Sequence, residues 1–258
     1  MKVVILCGGL GTRLREETEF RPKPLVEVGG RPILWHIMKL YAQQGFRDFV
    51  LCLGYRGNMI KEYFLNYEAM NSDFTICLGN KSQIAYHGDH GEQGFAVTLA
   101  ETGGASMTGG RLKRVAKYLE DEDRFMVTYG DGLGDVNLQE LAEFHASHGK
   151  LATVTTFRPA SRFGILNIDD SRRVTSFSEK PRSDAWASAG FFVFERRILE
   201  YLDGDECILE RQPLERLARE GELVAYHHER FFCAMDTYRE YELLNDLWRT
   251  EQAPWKKW

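Results

Sequence analysis

The run Val3-Val4-Ile5-Leu6-Cys7-Gly8-Gly9-Leu10-Gly11-Thr12-Arg13-Leu14 decides how the chain is read. Its unbroken apolar start leaves no polar face, which fits a strand covered on both sides, as in a parallel sheet. The glycines that follow let the backbone approach an anion closely and turn its N–H groups toward it. This is not a Walker A loop, because no Gly-Lys-Ser/Thr follows. Nor is it a dinucleotide fingerprint, because Leu14 stands where the third glycine of G-x-G-x-x-G belongs. A tight strand-to-helix turn with a surface arginine is the plain alternative.

Outward from that run the pattern alternates. Residues 32–44 place Ile33, Ile37, Leu40 and Tyr41 at helical spacing, with Pro32 suited to a first helical position and Gly45 to a stop. Residues 48–53 read as a strand, 58–67 as a helix, 73–78 as a third strand, 124–128 as a further strand and 138–148 as a helix. That cadence implies βαβ units and right-handed crossovers. From about residue 150 strand candidates at 152–157, 164–168, 173–177 and 190–195 follow at short range, and helices return at 212–220 and 238–249. No linker or repeat marks a boundary. The expected architecture is a single α/β domain over residues 1–258. It has a Rossmann-like, mostly parallel central sheet flanked by helices, with a smaller antiparallel elaboration in its second half. In such sheets ligands bind outside the carboxyl ends of the strands, so the loops after Cys7 and Tyr129 matter most.

Composition narrows the partners. Across 258 residues, Lys plus Arg is 33 and Asp plus Glu is 38, a net charge of -5. This is the wrong sign for capture of nucleic acid or an anionic membrane. Apolar residues at 43% and charged residues at 28% are ordinary for a soluble enzyme. No apolar run approaches a membrane span. Cys7, Cys52, Cys77, Cys207 and Cys233 are scattered without a Cys-x-x-Cys pair, which argues against a disulfide framework or zinc site. A cytoplasmic protein is expected.

Arg21-Pro22-Lys23-Pro24-Leu25 adds a second chemical signal. Prolines on either side of Lys23 bias Arg21 and Lys23 toward extended geometry and hold one ammonium on a stiff segment. Such a fixed cation suits a reacting phosphate, which needs its charge met without reorganisation. A solvated lysine on a rigid loop is the bland reading.

The glycine loop followed by Pro22-Lys23-Pro24 resembles the sugar-phosphate nucleotidylyltransferases, which join a sugar 1-phosphate to an NTP and release pyrophosphate. The resemblance runs over essentially the whole chain, through Pro32-Ile33-Leu34-Trp35-His36-Ile37-Met38, Ser106-Met107-Thr108-Gly109-Gly110-Arg111-Leu112-Lys113-Arg114 and Ala253-Pro254-Trp255-Lys256. It implies that Leu6, Cys7, Gly8, Gly9, Leu10, Gly11 and Thr12 wrap the nucleotide phosphates, with Gly130 beside them. Arg13 would bind the departing pyrophosphate, and Lys23 would stabilise charge at the α-phosphate. Asp131, in Tyr129-Gly130-Asp131-Gly132, and Asp236, in Met235-Asp236-Thr237, match the family's metal aspartates, and two carboxylates can hold one Mg²⁺. A turn aspartate and a helix N-cap are the ordinary readings of those two positions.

The same resemblance gives Glu179 and Lys180 of Glu179-Lys180-Pro181 to the sugar hydroxyls and phosphate, although such a tripeptide is commonly a strand-end turn. Residues 1–150 would then bind mainly the nucleotide, and residues 151–258 the sugar phosphate. Thymidylyl relatives carry Gln-Pro-x-x-x-Gly beside the base, where this chain has Glu101-Thr102-Gly103-Gly104-Ala105-Ser106. The 106–111 stretch is similar to the cytidylyl type, in which the positions of Ser106 and Arg111 contact the nucleotide. Alternatively, Arg111 begins a helix over 112–119 and joins Lys113 and Arg114 on a solvated basic face. The implied reaction is cytidylyl transfer from CTP to glucose 1-phosphate. Another sugar 1-phosphate, or dTTP or UTP, stays open, because Ser188-Ala189-Gly190-Phe191 stands where cytidylyl relatives read Asn-Gly-Gly-Phe. There Ser188 is shorter than the asparagine it replaces, and Ala189 adds a methyl expected to lie close to the presumed sugar.

A non-catalytic homologue would be expected to lose Arg13, Lys23 or Asp131, and all three are present. A Rossmann oxidoreductase is opposed by Leu14. Related enzymes are commonly homo-oligomers, so Trp255-Lys256-Lys257-Trp258 reads either as a subunit contact or as a surface tail. Residues 80–92, with His87 and His90, read as a polar flap or subunit contact, and without a spaced third ligand they make a poor metal site.

Overall fold

The computed structural model describes residues 1–79, 83–161 and 163–258, with backbone alone at Arg15 and Glu16. Its centre is a seven-stranded sheet in the order Leu223–His227, Ala152–Phe157, Ala187–Glu195, Arg124–Tyr129, Val3–Leu6, Asp48–Leu53, Ala96–Glu101. Val3–Leu6 lies parallel to both its neighbours. Ala187–Glu195 runs against both of its own, so it is the reversed strand of an otherwise parallel sheet. Strands from both halves of the chain share this sheet.

Its apolar runs are continuous because both faces are covered. Val3 and Ile5 join one buried cluster with Ile33, Ile37 and Tyr41 of the Ile33–Gln43 helix. Val4 and Leu6 join the other, with Leu112 and Ile198. Alternate residues of one strand thus face opposite layers.

Most expected elements lie within a residue or two of their places. The third strand is present but lies outside the central sheet. Asp73–Ile76 pairs only with Ile84–His87, as an exposed antiparallel ribbon, and Cys77 beside it is exposed rather than buried. Its place in the sheet belongs to Ala96–Glu101, which hydrogen-bonds in parallel to Asp48–Leu53. Within the 80–92 excursion, residues 80–82 lie outside the described residues, while His90 Nε2 hydrogen-bonds to Glu68 Oε1 at 2.9 Å. The helix expected over 112–119 instead spans Thr108–Arg114, followed by a 3₁₀ turn at Ala116–Tyr118. Pro32 precedes the Ile33–Gln43 helix as its N-cap instead of opening it.

The aromatic tail is a further correction. Trp255 is fully buried in this chain's own core, stacked on Phe231 at 5.7 Å. Its indole N–H donates to His36 Nδ1 at 3.3 Å, and His36 Nε2 in turn donates to the Val28 carbonyl at 2.8 Å. The tail closes the layer over the Ile33–Gln43 helix. Among the described residues no helix is long and apolar enough to cross a membrane.

Candidate active site

Parallel strands bring their carboxyl ends to one edge of the sheet, and a cavity of about 490 Å³ opens there. The glycine loop after Val3–Leu6 forms one wall, the 104–108 segment after Ala96–Glu101 a second, and Tyr129-Gly130-Asp131 the floor. Leu14 is fully buried, so the residue in the third-glycine position plugs the loop into the core.

Asp131 and Asp236, far apart in sequence, are brought together by a short ladder. Gly132–Gly134 pairs antiparallel with Phe232–Ala234, matching Gly132 to Ala234. Asp131 precedes one strand and Asp236 follows the other, and Met235 N donates to the Asp131 carbonyl at 2.9 Å. The Lys23 ammonium bridges the two carboxylates, at 2.6 Å from Asp131 Oδ2 and 2.8 Å from Asp236 Oδ1. Arg13 Nη1 reaches Asp236 Oδ2 at 2.9 Å, with its side chain otherwise exposed to solvent. Asp236 is free for this because Thr237, not Asp236, caps the Tyr238–Arg249 helix, through a capping box with Glu240.

Lys23 opens a 3₁₀ turn, Lys23–Leu25, instead of continuing an extended segment. Leu25 N and Val26 N bond the carbonyls of Pro22 and Lys23, so the N–H that Pro24 lacks leaves no bond unmade. Burial works against the ammonium, but Asp131 and then Asp236 outweigh it and raise the Lys23 pKa above its ordinary value.

Arg111 lies neither on a solvated face nor with its fork free in the cavity. It is buried, and its Nη1 donates to Leu53 O, Thr102 Oγ1 and Gly103 O at 3.0, 2.8 and 2.8 Å, while Nη2 donates to Gly8 O at 3.1 Å. The guanidinium ties the glycine loop to the 102–104 turn. A Cβ on Gly8 would sit 2.1 Å from its Cζ, so glycine there is required by Arg111 packing.

Ser106 lines the cavity and donates to Asp205 Oδ1 at 3.1 Å. Glu179 and Lys180 pair with each other at 3.2 Å on the exposed turn after Val174–Ser178. Among the described residues no hydrogen bond or ion pair joins them to Lys23, Asp131 or Asp236. Ser188 is exposed at the start of the reversed strand, where its Oγ accepts from Gly190 N at 3.2 Å. Ala189 is buried in the apolar core, so its methyl packs there. Gly190 holds φ +75°, and a Cβ would fall 2.3 Å from the Tyr129 ring, so this glycine makes room for Tyr129.

A second cavity, about 350 Å³, lies beside Trp35 and Tyr67, but its charged groups are matched internally, Lys39 with Glu92 and His90 with Glu68.

The nucleotidyl transferase family matches this chain over residues 2–230. The chain is 48% identical to the glucose-1-phosphate cytidylyltransferase of Salmonella typhi over 259 aligned residues, covering 100% of both chains. It is 43% identical, with the same full coverage, to the probable glucose-1-phosphate cytidylyltransferase of Bacillus subtilis (strain 168). This chain belongs to the nucleotidyl transferase family.

A solved structure, HddC from Yersinia pseudotuberculosis complexed with GMP-PN, superposes with a TM-score of 0.70 at 24% identity, over 96% of this chain and 99% of that one. At that identity the likeness is one of fold. Within this nucleotidyl transferase the sequence reading missed two carboxylates, Asp205 and Glu210. Asp205 takes Arg114 on both oxygens, at 2.7 and 2.6 Å, besides Ser106. Glu210 accepts from Thr108 Oγ1 at 2.6 Å and from the Tyr129 hydroxyl. Neither lies in a motif, and their partners are about 80 to 100 residues away, so no spacing in the sequence could have exposed them.

Proposed function

We infer that the chain transfers the cytidylyl group of CTP to glucose 1-phosphate, giving CDP-glucose and pyrophosphate. The observation that carries this reading is the Lys23–Asp131 pair on the floor of the glycine-loop cavity, with Asp236 bound to the same ammonium, in a chain whose full-length relatives are named for that activity. The reaction is an in-line displacement. A phosphate oxygen of the sugar phosphate bonds to the α-phosphorus as the bond to the pyrophosphate oxygen breaks, and the pyrophosphate leaves with the electron pair.

The attacking phosphate is already anionic, so no protein nucleophile is required. The thiol beside the floor suits that reading: burial pushes the Cys7 pKa well up, which keeps it an unreactive thiol. The loop backbone from Leu6 to Thr12 wraps the phosphates. Arg13 draws off charge on the departing pyrophosphate, and Lys23 meets the charge that builds on the α-phosphoryl oxygens. Glu179, Lys180 and Ser188 take the sugar phosphate, the first two from the exposed turn after Val174–Ser178.

Asp131 and Asp236 are brought onto one cation, the Lys23 ammonium, and as a pair of hard oxygen donors these two carboxylates would hold Mg²⁺. Bound there, Mg²⁺ supplies charge neutralisation for the phosphate oxygens. A homo-oligomer suits two exposed antiparallel ribbons, Asp73–Ile76 with Ile84–His87 and Ile165–Ile168 with Val174–Ser178, where Phe74, Tyr86, Ile165 and Phe177 face solvent, and light scattering reads the assembly size.

The test is pyrophosphate release with Mg²⁺ across CTP, dTTP, UTP, ATP and GTP, each paired with a panel of sugar 1-phosphates. CTP with glucose 1-phosphate is expected to turn over fastest. Turnover of a different nucleotide without CTP would overturn the reading, and CTP turnover confined to another sugar would move the acceptor to whatever the Ser188 side accepts.

A further inference from the structure

The cavity has two ends of different chemistry. Arg13, Lys23 and Asp131 make one end charged, which suits a triphosphate. At the other end, Gly104 to Thr108, the Arg111 fork is engaged by carbonyls, and the hydroxyl side chains that line the wall are those of Ser106, which is buried, and Thr108, which is half-buried. A hydroxyl can donate or accept, so by itself it discriminates poorly between base edges.

Here that freedom is removed. The segment after the 3₁₀ turn Arg196–Tyr201 places a carboxylate against each hydroxyl, and an ionised carboxylate accepts only. Asp205 is held ionised, its pKa pushed down to about 2 chiefly by its hydrogen bonds from Arg114. The Ser106 proton is therefore committed to Asp205 Oδ1, at 3.1 Å. Thr108 Oγ1 commits its own proton to Glu210 Oε2 at 2.6 Å while accepting from Leu209 N at 2.9 Å. The Tyr129 hydroxyl supplies Glu210 with a second donor and so fixes that carboxylate in place. With both protons turned away, the wall presents lone pairs to whatever lies against it.

We propose that Asp205 and Glu210 are specificity-determining positioning residues, which fix Ser106 and Thr108 as acceptors so that the site takes a pyrimidine bearing an amino group and rejects one bearing an oxo group. The N4 amine of cytosine donates to such a wall, whereas O4 of uracil or thymine meets like lone pairs. The inference rests on the nucleotide-transfer reading above and deepens it to the choice of base.

The experiment compares CTP with UTP, which differ at this edge, using kcat/KM and equilibrium binding for the wild-type protein and for Glu210→Gln and Asp205→Asn. Each new amide donates to its hydroxyl and frees that proton for the ligand. The CTP-over-UTP ratio is then expected to fall about tenfold in each variant, the effect of roughly one hydrogen bond. Ser106→Ala is the second route to the same ratio, removing one acceptor without touching the carboxylates. Equal losses for both nucleotides would make the clamp merely structural and overturn the proposal, as would an unchanged ratio in all three variants. Wild-type protein that neither binds nor turns over CTP would instead remove the transfer reading and this inference with it.

Discussion

At Lys23 two opposed effects act on one ammonium, and the carboxylates win. Burial disfavours the charge, but Asp131 and Asp236 keep it protonated, and the cation in turn makes two close carboxylates tolerable. In Lys23→Met that neutralisation is lost. Its kcat is expected to fall by about 10²–10³-fold, on the scale of a lost transition-state donor. Mg²⁺ alone should raise the Tm of this variant more than that of the wild type, because the ion takes over the role of the ammonium. Calorimetry with and without Mg²⁺ checks this, and equal shifts would separate Lys23 from the metal pair. Gly190 makes a second residue-scale test. Gly190→Ala should lower stability and activity together, since both φ +75° and the Tyr129 ring oppose a methyl there. A fully active, equally stable variant would show that the ring can move at no cost. Arg111 marks the limit of motif reading: the motif singled it out, but its engagement by three carbonyls and the Thr102 hydroxyl was not legible, because those partners come from three separate segments of the chain.

Among the elements, periodicity worked where one chain segment supplies its own signal. The helices Leu138–His148 and Tyr238–Arg249 and the strand Ala152–Phe157 sit where their patterns place them. At 73–78 it found the strand but not its partner: Phe74 and Ile76 alternate as strand residues do, yet the segment pairs away from the sheet. Strand character is local, but which strand sits beside Asp48–Leu53 is decided by a partner, and Ala96–Glu101 is the one that buries there. The cap of the last helix is a further case in which competing local readings existed. Thr237→Ala should cost about 1 kcal/mol in a denaturation midpoint, typical of a lost N-cap, while Asp236→Asn should leave helix stability almost unchanged. A larger effect from Asp236 would restore it as a capping residue.

Across the whole molecule, the C-terminal aromatic tail and His36 decide how stability responds to truncation and to pH. Trp255→Ala removes a fully buried indole and should cost about 3–5 kcal/mol, read from chemical denaturation of the full chain. A surface-like change below 1 kcal/mol would contradict the packing described above. His36, sealed under that indole, has its pKa lowered to about 4, first by burial. Its folded pKa lies below the ordinary value of 6.5, so the unfolded chain binds the proton more readily. The stability held by neutral His36 is therefore full above about pH 6.5 and is lost as pH falls from there toward 4. Denaturation midpoints followed across that window should decline in the wild type, and the slope should flatten in His36→Gln, which keeps a donor for Val28 and an acceptor for Trp255. An equal slope in both would assign the decline to other groups.

The local structure was in the chain itself: an apolar run into glycines and a proline-braced lysine mark a strand and the loops at the edge of a parallel sheet, while the two aspartates stood out only through the family resemblance. Those signals survive because each depends on neighbours a few residues away, through φ limits, missing Cβ atoms and side-chain period. Tertiary structure decided what lies across from what. It set Asp236 beside Asp131 through a three-residue ladder, turned Trp255 inward over His36, and put Asp205 and Glu210 behind the two hydroxyls of the base wall. Those pairings join residues about 80 to 220 positions apart, and a hydrogen bond between them exists only once the sheet has fixed the distance.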